Sequence, residues 1–259
     1  MVYRYYPGCT LRTKAKDLDK AARASAEVLG LQLQEVPEWQ CCGAVYPLTE
    51  DEIATRLSAV RVLQSAKENG EPLLTVCSAC HHVLKRVNHD MQQRGSIWEK
   101  ANRYLELSEP YSGEVSVVHY LEVLRDTIGF NAIKERVVNP LKGRKVATYY
   151  GCLLLRPSEV MAMDDPENPT IMEDLINSLG AEAVVTPYRN ECCGGYIRLE
   201  NPELAEKRTK EIIEAAIRAG ADSIVTACPL CLYNLHKTAE SLGIKVVYFS
   251  ELLAEALGV

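Results

Sequence analysis

LLTVCSAC (73–80) and IVTACPLC (224–231) each carry a short apolar, β-branched run straight into a C-x-x-C. A run of that length, followed at once by a helical pattern, reads as a buried strand that turns into a helix at the cysteines. Working outward, each copy is preceded by a CCG, at Cys41–Cys42–Gly43 and Cys192–Cys193–Gly194, with 34 residues between vicinal pair and C-x-x-C in both cases. A single cysteine, Cys9 or Cys152, precedes each CCG. All ten cysteines are used, five per half, and the last four of each set are related by one shift of 151 residues. Regularity of this kind argues for two copies of one metal-binding unit.

The flanking sequence repeats in the same order. In the first half VYRYY (2–6) reads as a strand ending at Gly8 and Cys9, Lys14 to Leu29 as a helix stopped by Gly30, and LQLQEV (31–36) as a strand leading to Cys41. Thr49 to Asn69 has helical periodicity, with Asp51 and Glu52 in its first turn and Gly70 at its end; His81 to Gln93 continues as helix. In the second half KVATYY runs into Cys152, and helices are expected near Ile171 to Leu179 and Pro202 to Ala219. AVVTPY heads towards Cys192 and SIVTA towards Cys228. Both halves close alike, EVSVVHYLEVL (114–124) resembling GIKVVYFSELL (243–253), a strand turning into a short amphipathic helix. Asn131 to Arg144 is the natural boundary. The expected fold is α/β, two similar Rossmann-like domains with parallel sheets related by an internal repeat, 1–140 and 141–259.

In such sheets all three cysteine motifs of a half follow the carboxyl ends of strands, so they converge on one sheet edge. A vicinal pair in a regular strand would point its thiols to opposite faces; Gly43 and Gly194 supply the freedom to leave strand geometry. The C-x-x-C pairs sit where helices begin, at His81 and Leu232 or slightly before, and Pro229 suits a first turn. Helix N-termini there favour thiolate over thiol.

Composition narrows the partners. The chain has 259 residues, 47% hydrophobic, with a net charge of −6 and no cluster of Lys and Arg, which disfavours nucleic acid. No stretch approaches the roughly 20 apolar residues of a membrane span, and MVYRYYPGC does not read as a signal peptide. The expectation is a cytoplasmic protein without direct membrane insertion. In a reducing compartment cysteines at these spacings are metal ligands rather than half-cystines.

Tetrahedral zinc or a cubane [4Fe–4S] cluster takes four thiolates, so the fifth in each half is the discriminating fact. Two zinc ions with a bridging thiolate, or one cysteine per half serving as a small buried hydrophobe, are the alternatives that spacing leaves open.

The arrangement C, CCG, C-x-x-C, occurring twice, resembles the cysteine-rich CCG-domain proteins, and among them the B-type subunits of heterodisulfide reductase. The resemblance covers nearly the whole chain and all ten cysteines. It implies two non-cubane [4Fe–4S] clusters, one held by Cys9, Cys41, Cys42, Cys77 and Cys80, the other by Cys152, Cys192, Cys193, Cys228 and Cys231. It further implies an oxidoreductase subunit that reduces a disulfide of the coenzyme M/coenzyme B type or an analogue. Electrons would come through a cubane iron–sulfur C subunit from a flavin-containing A subunit. Relatives in lactate, glycolate and glycerol-phosphate oxidation usually carry C-x-x-C-x-x-C-x-x-x-C-P motifs in the same chain. This sequence has none. An electron-transfer subunit of a related flavin-linked or electron-bifurcating oxidoreductase, with no disulfide substrate of its own, is the alternative.

Other residues carry weaker expectations. His81 and His82, directly after the first C-x-x-C, are candidate proton donors to a leaving thiolate or holders of an acidic substrate group; an exposed or capping helix start is the plainer reading. The second copy has Leu232 and Tyr233 there. Arg12, Lys14, Lys16 and Arg156 lie just after Cys9 and Cys152 and read as solvated charges or an anion entrance. VMAMDDPENP (160–169) reads as an ordinary loop, a lid or a partner surface. Tyr3, Tyr5, Tyr6, Tyr149 and Tyr150 have strand spacing and belong to the core.

Overall fold

In the computed structural model, which describes residues 1–44, 51–67 and 70–259, both halves form all-parallel four-stranded sheets. The first contains β1 (Val2–Tyr5), β2 (Gln32–Glu35), β3 (Leu73–Thr75) and β4 (Val117–His119) in the order β2-β1-β3-β4. The second contains β5 (Lys145–Tyr149), β6 (Glu182–Val184), β7 (Ser223–Thr226) and β8 (Lys245–Tyr248) in the order β6-β5-β7-β8. Registers correspond: Arg4 pairs with Leu73, and Ala147 with Ile224. Helices cover the sheets, so the central strands are buried on both faces, Leu73 to Thr75 and Val146 to Tyr149 throughout.

In the first half the helices are α1 (Gly8–Thr13), α2 (Lys16–Val28), α3 (Ala54–Lys67), α4 (Ser78–Gln92) and α5 (Ser96–Leu105). After β4 come α6 (Tyr120–Glu122), a π-helical turn (Val123–Ile128) and α7 (Phe130–Glu135). The second half has α8 (Ser158–Met161), α9 (Ile171–Ser178), α10 (Pro202–Arg218), α11 (Pro229–Leu242) and α12 (Phe249–Leu257). The helix expected over Thr49–Asn69 is α3 within the described residues; Thr49, Glu50, Glu68 and Asn69 lie outside them. Helices α1, α5, α7 and α8 are not expected from the sequence, α7 at the start of the boundary segment and α8 reaching into the segment 160–169. The chain bends into α1 at Gly8, immediately before Cys9, because Gly8 takes a left-handed φ of +75°. α5 has no counterpart in the repeat; it fills the crossover between α4 and β4, where Asn102 holds the Tyr111 backbone from both sides.

The halves do not stand apart. α12 of the second half packs on α2 of the first, and a single buried apolar cluster runs through both. At their junction the Tyr248 hydroxyl lies 2.8 Å from the Val76 carbonyl and 2.7 Å from that of Ala227, the residues just ahead of Cys77 and Cys228. His119, which holds the position of Tyr248 in the first half, places Nε2 3.1 Å from the Val76 carbonyl. The ends of β3 and β7 are therefore tied to one another. Among the described residues no helix is long and apolar enough to cross a membrane.

Candidate metal centres

In a sheet of order 2-1-3-4 the connections leave in opposite directions from β1 and β3, which opens a crevice at their carboxyl ends. Cys9 follows β1 and Cys77 follows β3; Cys152 and Cys228 stand in the same places after β5 and β7. The CCG segments close the third side. Neither Cys41–Gly43 nor Cys192–Gly194 is in a strand, and Gly43 and Gly194 take φ of +82° and +78°. The chain thus leaves strand geometry at both vicinal pairs, as the glycines led one to expect, with Cys42 and Cys193 buried and Cys41 and Cys192 exposed.

Each set has a deep and a shallow part. Cys42, Cys77, Cys80, Cys193, Cys228 and Cys231 are buried, Cys152 is half-buried, and Cys9, Cys41 and Cys192 are exposed. Sulfurs meet in unbonded contacts: Cys9 to Cys41 at 3.4 Å, Cys42 to Cys80 at 3.5 Å and Cys193 to Cys231 at 3.6 Å. Thiolates bound to one metal at about 2.3 Å in tetrahedral geometry stand about 3.8 Å apart, so these separations suit sulfur ligands of a metal centre. The sets are grouped without closing on one point: among the described residues no three His, Cys, Asp or Glu side chains come together as a single-ion site.

The electrostatics favour the same chemistry. Hydrogen bonds from Cys41 and Cys80 hold the Cys42 thiol well below its usual range, while bonds to Cys42 and Cys77, with burial, push Cys80 well above. In the second half bonds from Cys152 and Cys193 pull the Cys192 thiol well below its usual range, and the bond to Cys192 pushes Cys193 up. Thiols packed this closely compete for negative charge, and a bound cation would let all of them ionise.

Several supporting residues escaped the sequence reading. A Cβ on Gly8 would lie 2.7 Å from Cys80 Sγ, and one on Gly151 3.2 Å from Cys231 Sγ. The Gly-Cys dipeptides 8–9 and 151–152 were the available signal. Tyr6 and Tyr149 are core residues as expected, but each also donates its hydroxyl, at 2.7 Å, to the carbonyl just before the vicinal pair, Gln40 or Glu191. Tyr196 reaches from the second CCG loop to the Ala44 carbonyl of the first at 2.8 Å.

The histidines are neither exposed nor caps. Their helix, α4, packs on α3 and β4 of its own half and on α8 of the second, and both histidines are buried. His81 Nε2 lies 3.2 Å from Glu122 Oε2, and His81 stacks edge-on against His119, 5.5 Å between centroids. His82 places Nδ1 3.0 Å from the Leu153 carbonyl and lines, with Arg86, Cys152 and Arg156, an open cavity of about 590 Å3. Arg12 pairs with Glu35, and Lys14 and Lys16 are exposed. Arg156 is drawn to the Asn190 and Pro166 carbonyls and to Glu167. In the 160–169 segment Met161 and Met163 are buried, and their carbonyls are held by Lys85 and Arg125 of the first half.

A family model described as the cysteine-rich CCG domain matches residues 3–85 and 146–236, which include all ten cysteines. The chain belongs to the cysteine-rich CCG family. Within it, the chain is 34% identical to the 8-methylmenaquinol:fumarate reductase membrane anchor subunit of Wolinella succinogenes, over 99% of this chain and 92% of that one. It is 31% identical to a protein of Archaeoglobus profundus described as like the B-type subunit of heterodisulfide reductase, over 99% and 90%. It is 29% identical to the B-type subunit of a ferredoxin/F(420)H(2)-dependent CoB-CoM heterodisulfide reductase of Methanosarcina acetivorans, over 98% and 88%. These CCG proteins are subunits of reductase complexes, and the present chain is an oxidoreductase subunit related to the B-type subunits of heterodisulfide reductase. A crystal structure of a hypothetical protein from Helicobacter pylori shares the fold, with a TM-score of 0.76 at 12% identity; the match covers all of this chain and 49% of that one.

Proposed function

We propose that this chain is the B-type iron–sulfur subunit of a heterodisulfide reductase-like complex, with a non-cubane four-iron centre in each half. Residues 1–140 would hold one centre through Cys9, Cys41, Cys42, Cys77 and Cys80. Residues 141–259 would hold the other through Cys152, Cys192, Cys193, Cys228 and Cys231. The observation that carries this reading is the equivalence of the two sets: five sulfurs each, at the same strand ends, in halves locked together at the residues preceding Cys77 and Cys228. Such centres supply one-electron reduction. The chain contributes their placement, with Tyr6 and Tyr149 holding the CCG loops and the N-termini of α4 and α11 presenting N–H groups.

The substrate in this reading is a disulfide, reached through the cavity beside Cys152 and His82. Electrons would come from a cubane iron–sulfur C-type subunit and a flavin-containing A-type subunit, in the cytoplasm. A second reading, an electron-transfer subunit without its own disulfide, is favoured by the 34% identity to a fumarate reductase subunit. Two measurements test the pair. Iron and acid-labile sulfide analysis on anaerobically purified protein should give two four-iron centres, and stoichiometric zinc with little sulfide would end the cluster reading. The complex should then reduce one of a panel of disulfides; normal cluster reduction with no turnover selects the relay.

A further inference from the structure

The repeat equates residues 151 apart, yet the two sets are not served equally by hydrogen-bond donors. The sixth position after the first cysteine of the C-x-x-C is Val83 in α4 and Asn234 in α11, both completely buried. Val83 offers no donor. Asn234 Nδ2 donates to the Cys193 carbonyl at 2.7 Å, and its side chain also hydrogen-bonds the Cys193 thiol. Its amide is oriented by Arg198 NH1, 2.5 Å from Oδ1, which turns the nitrogen towards the cysteine.

A second asymmetry lies at the junction of the halves. The start of α4 reaches across to the second half: Ser78 donates to the Ala227 carbonyl through its backbone N–H at 3.0 Å and its hydroxyl at 2.7 Å. The Ala79 N–H continues to the Cys228 sulfur, which also receives N–H groups from Leu230 and Cys231. The counterpart of Ser78 is Pro229, which has neither N–H nor hydroxyl to return those bonds. The first set has donors of its own, the Tyr6 hydroxyl and the Ala44 N–H at Cys42 and the Gly43 N–H at Cys41, against the Gly194 N–H at Cys192 in the second, so the second-half surplus comes from Asn234 and from the N–H groups gathered at Cys228. Lys14 beside Cys9 is exposed and therefore screened.

Hydrogen bonds to the ligating sulfurs stabilise the more negative, reduced form of an iron–sulfur centre and so raise its reduction potential. We propose that the two halves hold centres of unequal potential, the second-half centre being the stronger oxidant, with Asn234 and the start of α4 as the residues that set the difference. An electron shared between the centres then resides on the second: the first is oxidised as the second is reduced, and no bond or proton changes hands. This inference rests on the iron–sulfur reading above.

The test is a potentiometric titration of the anaerobic holoprotein followed by electron paramagnetic resonance, with Cys42→Ser and Cys193→Ser assigning each signal to its half. The second-half signal should reach half-reduction at a more positive potential by at least a tenfold difference in reduced-to-oxidised ratio, about 59 mV for a one-electron centre. Asn234→Val should lower the second-half potential alone. Asn234→Asp, which keeps the shape but replaces the donor by a negative charge, should lower it further. Equal or inverted potentials, or Asn234 variants that retain their iron and leave the second-half potential unmoved, overturn the proposal. Preparations without acid-labile sulfide overturn the iron–sulfur reading itself.

Discussion

At Gly8 a methyl group has nowhere to go. Its Cβ would meet Cys80 Sγ at 2.7 Å, and its φ of +75° strains any L side chain, at a cost of about 1–2 kcal/mol before the contact is counted. Gly151 has the same kind of φ and a looser 3.2 Å contact with Cys231 Sγ. Gly8→Ala should remove most first-half iron and leave the second half loaded, whereas Gly151→Ala should lose less from its own half. Iron content and half-resolved spectra check both, and equal losses would contradict the packing argument. His119 offers a different kind of test. Burial, aided by nearby His81, holds its imidazole down at about 3 from an ordinary 6.5. Between those values the unfolded chain binds a proton that the folded chain refuses, so stability falls as the pH drops through that window and is level above it. The loss from pH 7 to 5 is about 2 kcal/mol. His119→Gln should flatten the dependence by that share, read from urea midpoints at pH 7 and 5; an unchanged slope would show that His119 is not responsible. The cysteine stations were readable because their spacing is local and repeated. Gly8, Tyr196 and the burial of His81 were not, because each depends on what the chain meets far away in sequence.

Among the elements, α12 shows how far an amphipathic pattern carries. GIKVVYFSELL identified a strand and a helix, but not what the helix would cover. α12 lies on α2 of the other half, where Ser250 Oγ reaches the Leu18 carbonyl at 3.1 Å. Phe249, fully buried at its start, packs against His119 and Tyr120 of the first half at centroid distances of 5.7 and 6.0 Å. Phe249→Ala should cost about 3–5 kcal/mol and lower the unfolding midpoint of the first sheet as much as the second, as read by hydrogen exchange at Leu74 and Val225. Protection lost only at Val225 would mean that the helix serves its own half alone. α1 and α5 escaped the sequence reading for opposite reasons: α1 is set by one glycine conformation, and α5 lies outside the repeat that guided the alignment.

For the whole molecule the shared apolar cluster and the tie through Tyr248 join two sheets of separate topology into one folding unit. Thermal unfolding of the metal-free chain should therefore be a single transition with calorimetric and van't Hoff enthalpies in agreement, and residues 1–140 produced alone should not fold. Two separated transitions would contradict this. The parallel sheets and their strand ends were legible in the alternation of strand and helix; the intimacy of the halves was not, since the residues that join them carry no local signature. Ser78 and Pro229 give that intimacy a direction. A second half facing another second half would meet proline where it needs the Ser78 hydroxyl and N–H, leaving the Ala227 carbonyl short of two donors. The contact surface therefore selects an unlike partner over a like one, and halves produced separately and mixed in solution would fold together as heterodimers in preference to pairing with copies of themselves.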